Sequence, residues 1–121
     1  MATIQRFEDI VAWQKARELV RAVYKVCAEG PLGKDYGLRN QMCRAAVSTM
    51  SNIAEGFGRK THNDFAHFLD VSRGSCTEVQ SLLYVALDVE YIPQAVFDRL
   101  YEVAAHTISL ISKFSSYLRS S

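Results

Sequence analysis

Apolar residues recur along most of this chain at intervals of three and four positions, the spacing that lines one face of an α-helix. This pattern predicts four helices, over about residues 7–28, 38–57, 63–89 and 93–118. The last is the most regular, since its apolar positions alternate steps of three and four throughout. They are Phe97, Leu100, Ala104, Thr107, Ile111, Phe114 and Leu118. No segment alternates apolar and polar residues as a half-buried strand would, so the sequence predicts an all-α protein.

The connections between the predicted helices are short. After the first helix, Gly30 can end it and Pro31 cannot extend it, while Gly33 and Gly37 loosen the link to the second helix. Short connections make consecutive helices antiparallel neighbours. We therefore expect a single domain of residues 1–121, folded as an up-down-up-down four-helix bundle.

The segment "GFGRKTHND" joins the second and third predicted helices and superficially resembles a phosphate-binding loop. A P-loop needs a strand before it and Lys directly after its second glycine, whereas here a helix precedes and Arg59 follows Gly58. A helix-to-helix turn accounts for the segment better. In this interpretation Gly56 and Gly58 supply positive backbone angles, and Thr61 caps the next helix, with Asp64 three positions on.

Two helices carry more apolar surface than a four-helix core requires. On the first, two neighbouring columns of apolar residues run at positions 12/19/26 and 13/20/27. On the fourth, a second set lies beside the main stripe: Val96, Tyr101, Val103, Ile108, Leu110 and Tyr117. Wide exposed apolar patches usually mark an interface, so we expect self-association, the alternative being a tight monomer with a broad core. Gly74, in the middle of a helix, indicates close approach of another helix.

Composition narrows the function classes. Lys and Arg total 14 and Asp and Glu total 13, which gives a net charge of +1. A protein held to nucleic acid by its overall field would be far more basic, so nucleic-acid binding would need a local patch. No apolar run approaches the roughly 18 residues of a membrane span, and the N-terminus has no apolar signal core. The three cysteines show no paired spacing, and we expect a cytoplasmic protein with no membrane association.

The sequence gives little support for a catalytic site or a metal site. The histidines His62 and His67 are five positions apart and do not share a helix face, so we expect no metal and no cofactor. One enzyme-like pattern remains in Arg99-Leu-Tyr-Glu-Val-Ala-Ala-His106, which resembles the Arg-x4-6-His motif of the HEPN helical ribonucleases. There the Arg stabilises phosphate charge and the His titrates near neutral pH. Those enzymes usually have a polar residue after the Arg, where this chain has Leu100.

Small and polar residues form a seam on the second and third predicted helices. Its members are Ser48, Asn52, Glu55 and Arg59 on one helix and Ser72, Ser75 and Glu78 on the other. Facing stripes of this kind suggest closely packed helices with hydrogen bonds between side chains, a structural role that we favour over an acid pair. A buried Glu would need a partner, for which Arg44 and Arg73 are available.

Four segments together resemble a known family. They are "FEDIVAWQKARELV", "RAAVSTMSNIAEGFGR", "FAHFLDVSRGSCTEVQSLL" and "EYI" before the last helix. They look like the four-helix bundle proteins encoded in ribosomal RNA intervening sequences, over about residues 7–118. The resemblance implies a homopentameric barrel of antiparallel bundles, without an established enzymatic activity. It extends to the accessory protein of diversity-generating retroelements, a basic pentamer that binds nucleic acid and a reverse transcriptase, although the +1 charge here departs from it.

In an antiparallel bundle, several cations would meet at the end where the second helix turns into the third. They are Arg6, Arg59, Lys60, Lys113 and Arg119, against Glu8, Asp9, Glu55 and Asp64. A fivefold ring would repeat any excess charge around its axis. We therefore interpret the protein as a non-enzymatic homo-oligomer, a pentamer by resemblance, that binds nucleic acid or a protein partner as an adaptor. The alternatives are a solvated rim at this end and a HEPN-like ribonuclease using Arg99 and His106.

Overall fold

A computed structural model describes residues 4–121 and consists of helices, with no strand in that range. A 3-10 helix at Phe7–Asp9 is followed by five α-helices. They are α1 (Val11–Cys27), α2 (Gly30–Lys34), α3 (Tyr36–Phe57), α4 (His62–Asp88) and α5 (Gln94–Arg119). The all-α prediction is confirmed.

The start of α1 differs from the prediction of one helix from residue 7. Ile10 is extended, with φ −75° and ψ 118°, and separates the 3-10 helix from α1. Its side chain is buried, and the Phe7 ring packs edge-on against Trp13 with ring centroids 5.1 Å apart. The break thus brings Ile10 into the core and folds Phe7 back onto the first turn of α1, which a continuous helix would not do.

The link between α1 and α3 was predicted to be loose and instead contains α2. Gly30 takes a positive φ of 58°, which reverses the chain, and Pro31 then occupies the first turn of α2, where its missing N–H is not needed. Leu32 is 1% exposed and joins the core. Asp35 caps α3 by accepting a hydrogen bond from the Leu38 N–H at 3.1 Å.

The long helices pack around a common core. Helix α3 lies along α4 and α4 along α5, while α1 contacts both α3 and α5. Two side chains donate to the backbone of a neighbouring long helix: Ser72 Oγ to the Thr49 carbonyl at 2.6 Å, and Cys76 Sγ to the Ala104 carbonyl at 3.3 Å. The buried apolar side chains form one cluster around Met42, Leu83 and Leu100 and another around Ile53, Leu69 and Ile111.

Glycine roles differ from the prediction at three positions. Gly56 lies within α3 and is buried, and Gly58 has a φ of −77°, so neither takes the positive angle expected of it. A Cβ at Gly56 would lie 2.8 Å from both Phe65 Cδ1 and Phe68 Cβ, so this residue is needed for close packing of α3 against α4. At Gly74 a Cβ would meet nothing within 4 Å, and the expected helix contact is absent from the described chain.

The surplus apolar surface expected on the first helix is also not found. Both of its columns lie in or against the core, because α1 packs between α3 and α5 and needs a wide stripe. On α5, the second apolar set is half-buried against the core except for Tyr117, which is exposed. Exposed large apolar side chains are instead most frequent on α4 and the residue after it, at Val71, Tyr84, Val85 and Val89.

Candidate nucleic-acid interface

The turn from α3 to α4 is held by a stack and a cap. Thr61 Oγ1 accepts a hydrogen bond from the Asp64 N–H at 3.1 Å, which confirms the predicted cap of α4. The Arg59 guanidinium lies over the Phe68 ring, 4.4 Å from its centroid, and 3.7 Å from a Glu55 carboxylate oxygen. Cation–π contact and ion pair together orient Arg59 on the outside of the turn.

A cleft opens beside this turn, with a volume of about 410 Å³. We call it the terminal cleft, because the end of α3, the start of α4 and the end of α5 meet there. Its polar wall comes from the turn and the first residue of α4, and its apolar wall from α3, α4, α5 and Ile4. The lining residues are Ile4, Phe57, Arg59, Lys60, Thr61, His62, Phe65, Phe114, Tyr117 and Leu118.

Aromatic rings form the apolar wall of the terminal cleft. Phe65 packs edge-on against Phe57 and Phe114, with centroids 6.3 and 5.2 Å away. Phe114 in turn lies 6.4 Å from Tyr117, whose side chain is 44% exposed. The cleft therefore combines cationic groups with an aromatic surface that solvent can reach, a combination on which bases of single-stranded nucleic acid can stack.

The histidine of the terminal cleft ties its two sides together. His62, the first residue of α4, has its Nδ1 atom 2.8 Å from the Ser121 hydroxyl at the end of the chain. The hydrogen bond links the start of α4, which lines the cleft, to the segment after α5.

The five cations predicted to form a patch are not equivalent. Arg59 and Lys60 line the terminal cleft, whereas Arg6, Lys113 and Arg119 do not. Arg6 pairs with Glu8 at 2.6 Å, and Arg119 reaches both carboxylate oxygens of Asp70, at 3.2 and 2.6 Å. Within residues 4–121, Lys60 and Lys113 form no ion pair. Of the two cations that line the cleft, Arg59 lies 3.7 Å from a Glu55 carboxylate oxygen and Lys60 is in none of the ion pairs of the described residues.

The ion pairs have the expected effect on titration. The hydrogen bond from Arg119 is the largest cause that lowers the pKa of Asp70, while burial acts in the opposite direction. The same bond raises the pKa of Arg119. At neutral pH both groups are charged and engaged with each other, so Arg119 is a poor candidate for phosphate binding.

The polar seam is only partly assembled between α3 and α4. The hydroxyls of Ser48 and Ser75 lie 2.9 Å apart, and Asn52 Nδ2 donates to Ser48 Oγ at 3.0 Å. Glu55 and Glu78 lie outside this network and are exposed. The expected buried carboxylate is therefore absent among the described residues, and Arg73 pairs instead with Asp70.

Arg99 and His106 do not form a comparable site. Both side chains are exposed on α5, two turns apart, or about 10.5 Å along the helix axis. Neither lines the terminal cleft, and Leu100, which follows Arg99, is fully buried in the core. In residues 4–121 no group of three or more His, Cys, Asp or Glu side chains is arranged to hold a metal ion. None of the described helices has the length and apolarity to cross a bilayer.

Comparison with known proteins shows to which family this chain belongs. Residues 8–113 match the family model described as the 23S rRNA-intervening sequence protein. The chain belongs to this family. One similar solved structure is that of a protein with unknown function from the S23 ribosomal protein family of Bacteroides thetaiotaomicron. The two structures align over 87% of this chain and 98% of the Bacteroides chain, with 19% sequence identity and a TM-score of 0.79. This similarity supports the helical fold. Among curated proteins, none matches significantly.

In this member of the 23S rRNA-intervening sequence protein family, sequence reasoning found the cations of the terminal cleft but missed its aromatic wall. Phe57 and Phe65 flank the basic turn in the sequence, and this proximity could have indicated aromatic rings beside the cations. Phe114 and Tyr117 come from the other end of the chain, and only the docking of α5 beside the turn places them there.

Proposed function

We propose that this protein is a non-enzymatic binding module of the cytoplasm that takes single-stranded nucleic acid in its terminal cleft. In this proposal α1, α3, α4 and α5 form an up-down-up-down four-helix bundle that assembles as a homo-oligomer. The observation that carries the proposal is the placement of Arg59 and Lys60 on the rim of an aromatic cleft. A phosphate would contact the cations while a base stacks on Tyr117 or Phe114.

The local charge at the terminal cleft, rather than the net charge of the protein, supports nucleic-acid binding there. The net charge of +1 cannot attract a polyanion by itself, and Arg6 and Arg119 each lie 2.6 Å from a carboxylate oxygen, whereas Arg59 lies 3.7 Å from its partner Glu55. A cleft with two cations and several aromatic rings can still bind a single strand, because stacking of a base on an aromatic side chain contributes about 1–3 kcal/mol to the binding free energy. Binding of this kind is weak for one chain and becomes useful when several copies bind one strand.

Self-association has its own support. Val71 and Val85 are exposed and share one side of α4 by helical spacing, and the exposed Val89 directly follows the helix. Gly74 lies near this stripe with open space above it, so a helix of a second copy could approach closely there. We propose a pentamer on the resemblance to the pentameric barrels described above, including the retroelement accessory protein. A solution mass near one chain by light scattering would exclude every such assembly.

The binding proposal is tested with a fluorescent single-stranded RNA and fluorescence anisotropy. An Arg59→Glu/Lys60→Glu variant should lose most binding at low salt. Wild-type affinity should fall with salt as expected for a few phosphate contacts, with a log–log slope of about −0.7 for each contact on a single strand. The matched control is Lys25→Glu/Lys34→Glu, which makes the same charge change at exposed positions near the ends of α1 and α2.

Three outcomes would contradict the proposal. Wild-type protein that retains no RNA at low salt excludes binding. Equal losses in both double variants would mean that overall charge, not the terminal cleft, is responsible. If the RNA is cleaved in these incubations and His106→Ala abolishes cleavage, the HEPN-like alternative replaces the binding module.

A further inference from the structure

A pair of cysteines lies away from the terminal cleft, where α1 ends beside the start of α3. Cys27 is the last residue of α1, and Cys43 lies two turns into α3. Both side chains line one cavity of about 350 Å³, together with Tyr24, Ala28, Arg39 and Asn40. The two thiols therefore share a single pocket between two helices, although they are 16 positions apart in the sequence.

The two thiols are unequal in access. Cys27 is 2% exposed, whereas Cys43 is half-buried and therefore the more accessible of the two. Burial raises the pKa of Cys27 to about 12, and the neighbouring Cys43 thiol adds to the rise, while Arg39 acts in the opposite direction. Arg39 is held in place, because it donates to the Gly33 carbonyl at 2.9 Å and stacks on Tyr36. An incoming reagent thus meets Cys43 first, beside a positive charge.

The third cysteine is different and serves as an internal reference. Cys76 is fully buried between α4 and α5, where its Sγ donates to the Ala104 carbonyl at 3.3 Å. Burial raises its pKa to about 12, and no second cysteine is among the causes of that shift. With no second cysteine beside it, this buried thiol is expected to be inert.

We propose that Cys43 and Cys27 form a thiol-modification site that low-molecular-weight disulfides oxidise to a disulfide between α1 and α3. In the first step the Cys43 thiolate attacks one sulfur of the small disulfide, whose S–S bond breaks. One small thiolate leaves and takes a proton from solvent, and Cys43 carries a mixed disulfide. Cys27 then gives its proton to solvent, attacks the Cys43 sulfur and expels the second small thiolate. The protein loses two electrons and the reagent gains two.

The position of Cys27 makes the second step feasible. A disulfide requires Cα atoms about 4.4–6.8 Å apart, closer than many helix-to-helix contacts allow without movement. Cys27 ends its helix, and the exposed residues that follow include Gly30 with its positive φ. Cys27 belongs to the core cluster around Met42 and Cys43 packs against that same cluster, so the two side chains lie close together and pairing requires only a small local shift.

The reaction is tested on the folded full-length protein with glutathione disulfide as the probe. Wild type should lose two of its three thiols and the mass of two hydrogen atoms, with no glutathione retained. After alkylation of the remaining thiol, trypsin should release one disulfide-linked pair of peptides, residues 26–34 joined to residues 40–44. This mapping needs no variant and so does not depend on the folding of a mutant.

Single substitutions assign the roles. Cys27→Ser should stop at a stable Cys43–glutathione adduct, Cys43→Ser should stay unmodified, and Cys76→Ser should form the disulfide as wild type does. Wild type that stays fully reduced overturns the proposal, as does wild type that accumulates the Cys43 adduct. A linked peptide that contains Cys76 would overturn the pairing.

Discussion

Replacing Gly56 with alanine tests whether this residue is a spacer between α3 and α4. The added Cβ would lie 2.8 Å from Phe65 Cδ1 and 2.8 Å from Phe68 Cβ, whereas carbon atoms pack at about 3.5–4.0 Å. The Phe65 ring can rotate by a small amount. Phe68 Cβ is bonded directly to the backbone of α4, so the two helices must move apart locally.

The magnitude follows from two opposing terms. Overpacking of a core costs about 1–3 kcal/mol, and the greater helix propensity of alanine over glycine returns about 1 kcal/mol. Since one clash involves a backbone-attached carbon, we expect overpacking in the upper half of its range and a net loss of about 1–2 kcal/mol. For a chain of 121 residues this lowers Tm by roughly 3–10 °C.

Thermal unfolding followed by far-UV circular dichroism measures the effect, with Gly58→Ala as the matched control. A Cβ at Gly58 lies 3.5 Å from the Glu55 carbonyl oxygen, an ordinary contact, and the backbone there has a negative φ. Alanine at Gly58 should therefore leave stability unchanged or raise it by about 0.4–1 kcal/mol. A Gly56→Ala protein at least as stable as Gly58→Ala would refute the spacer role.

Two further changes test the cap of α4 and the ion pair beside α5. Thr61→Ala removes the oxygen that accepts a hydrogen bond from the Asp64 N–H and should lower the free energy of unfolding in urea by about 1 kcal/mol. Thr61→Ser keeps that oxygen and should lower it little. Equal losses of stability in the two variants would contradict the role of Thr61 as a cap. The hydrogen bond from Arg119 is the chief cause that lowers the pKa of Asp70 in the folded state. The Asp70 carboxylate therefore stabilises the protein above its unfolded pKa of about 3.9, and this stabilisation is lost as pH falls through the folded pKa. Asp70→Asn should therefore lower Tm near about pH 6, and the difference from wild type should shrink below about pH 4; a difference of the same size at both pH values would be inconsistent with this role of the ion pair.

Local patterns in the sequence were sufficient for part of this protein. The three-and-four spacing of α5 is a property of neighbours along one helix, so it is readable without knowing what the helix packs against. The cap at Thr61 is equally local, because its partner is only three residues away. The same applies to the quoted family segments, and membership in the family is confirmed over residues 8–113.

Short-range signals were misleading where a residue's role depends on a distant neighbour. Gly56 and Gly58 look alike in the sequence, yet only Gly56 faces Phe65 and Phe68 across an interface. The apolar columns of α1 suggested an exposed patch, but packing against α3 and α5 buries most of them.

The sequence by itself determined the helical periods, the cap of α4, the balanced charge and the family. The tertiary structure decided which side chains meet across helices: those of the aromatic wall of the terminal cleft, and Cys27 and Cys43, which line one cavity. It also decided that Arg59 stays at the cleft while Arg119 is taken up by Asp70. The physical reason is that helix formation depends on residues three or four apart, whereas these sites depend on how whole helices dock, which no local pattern specifies.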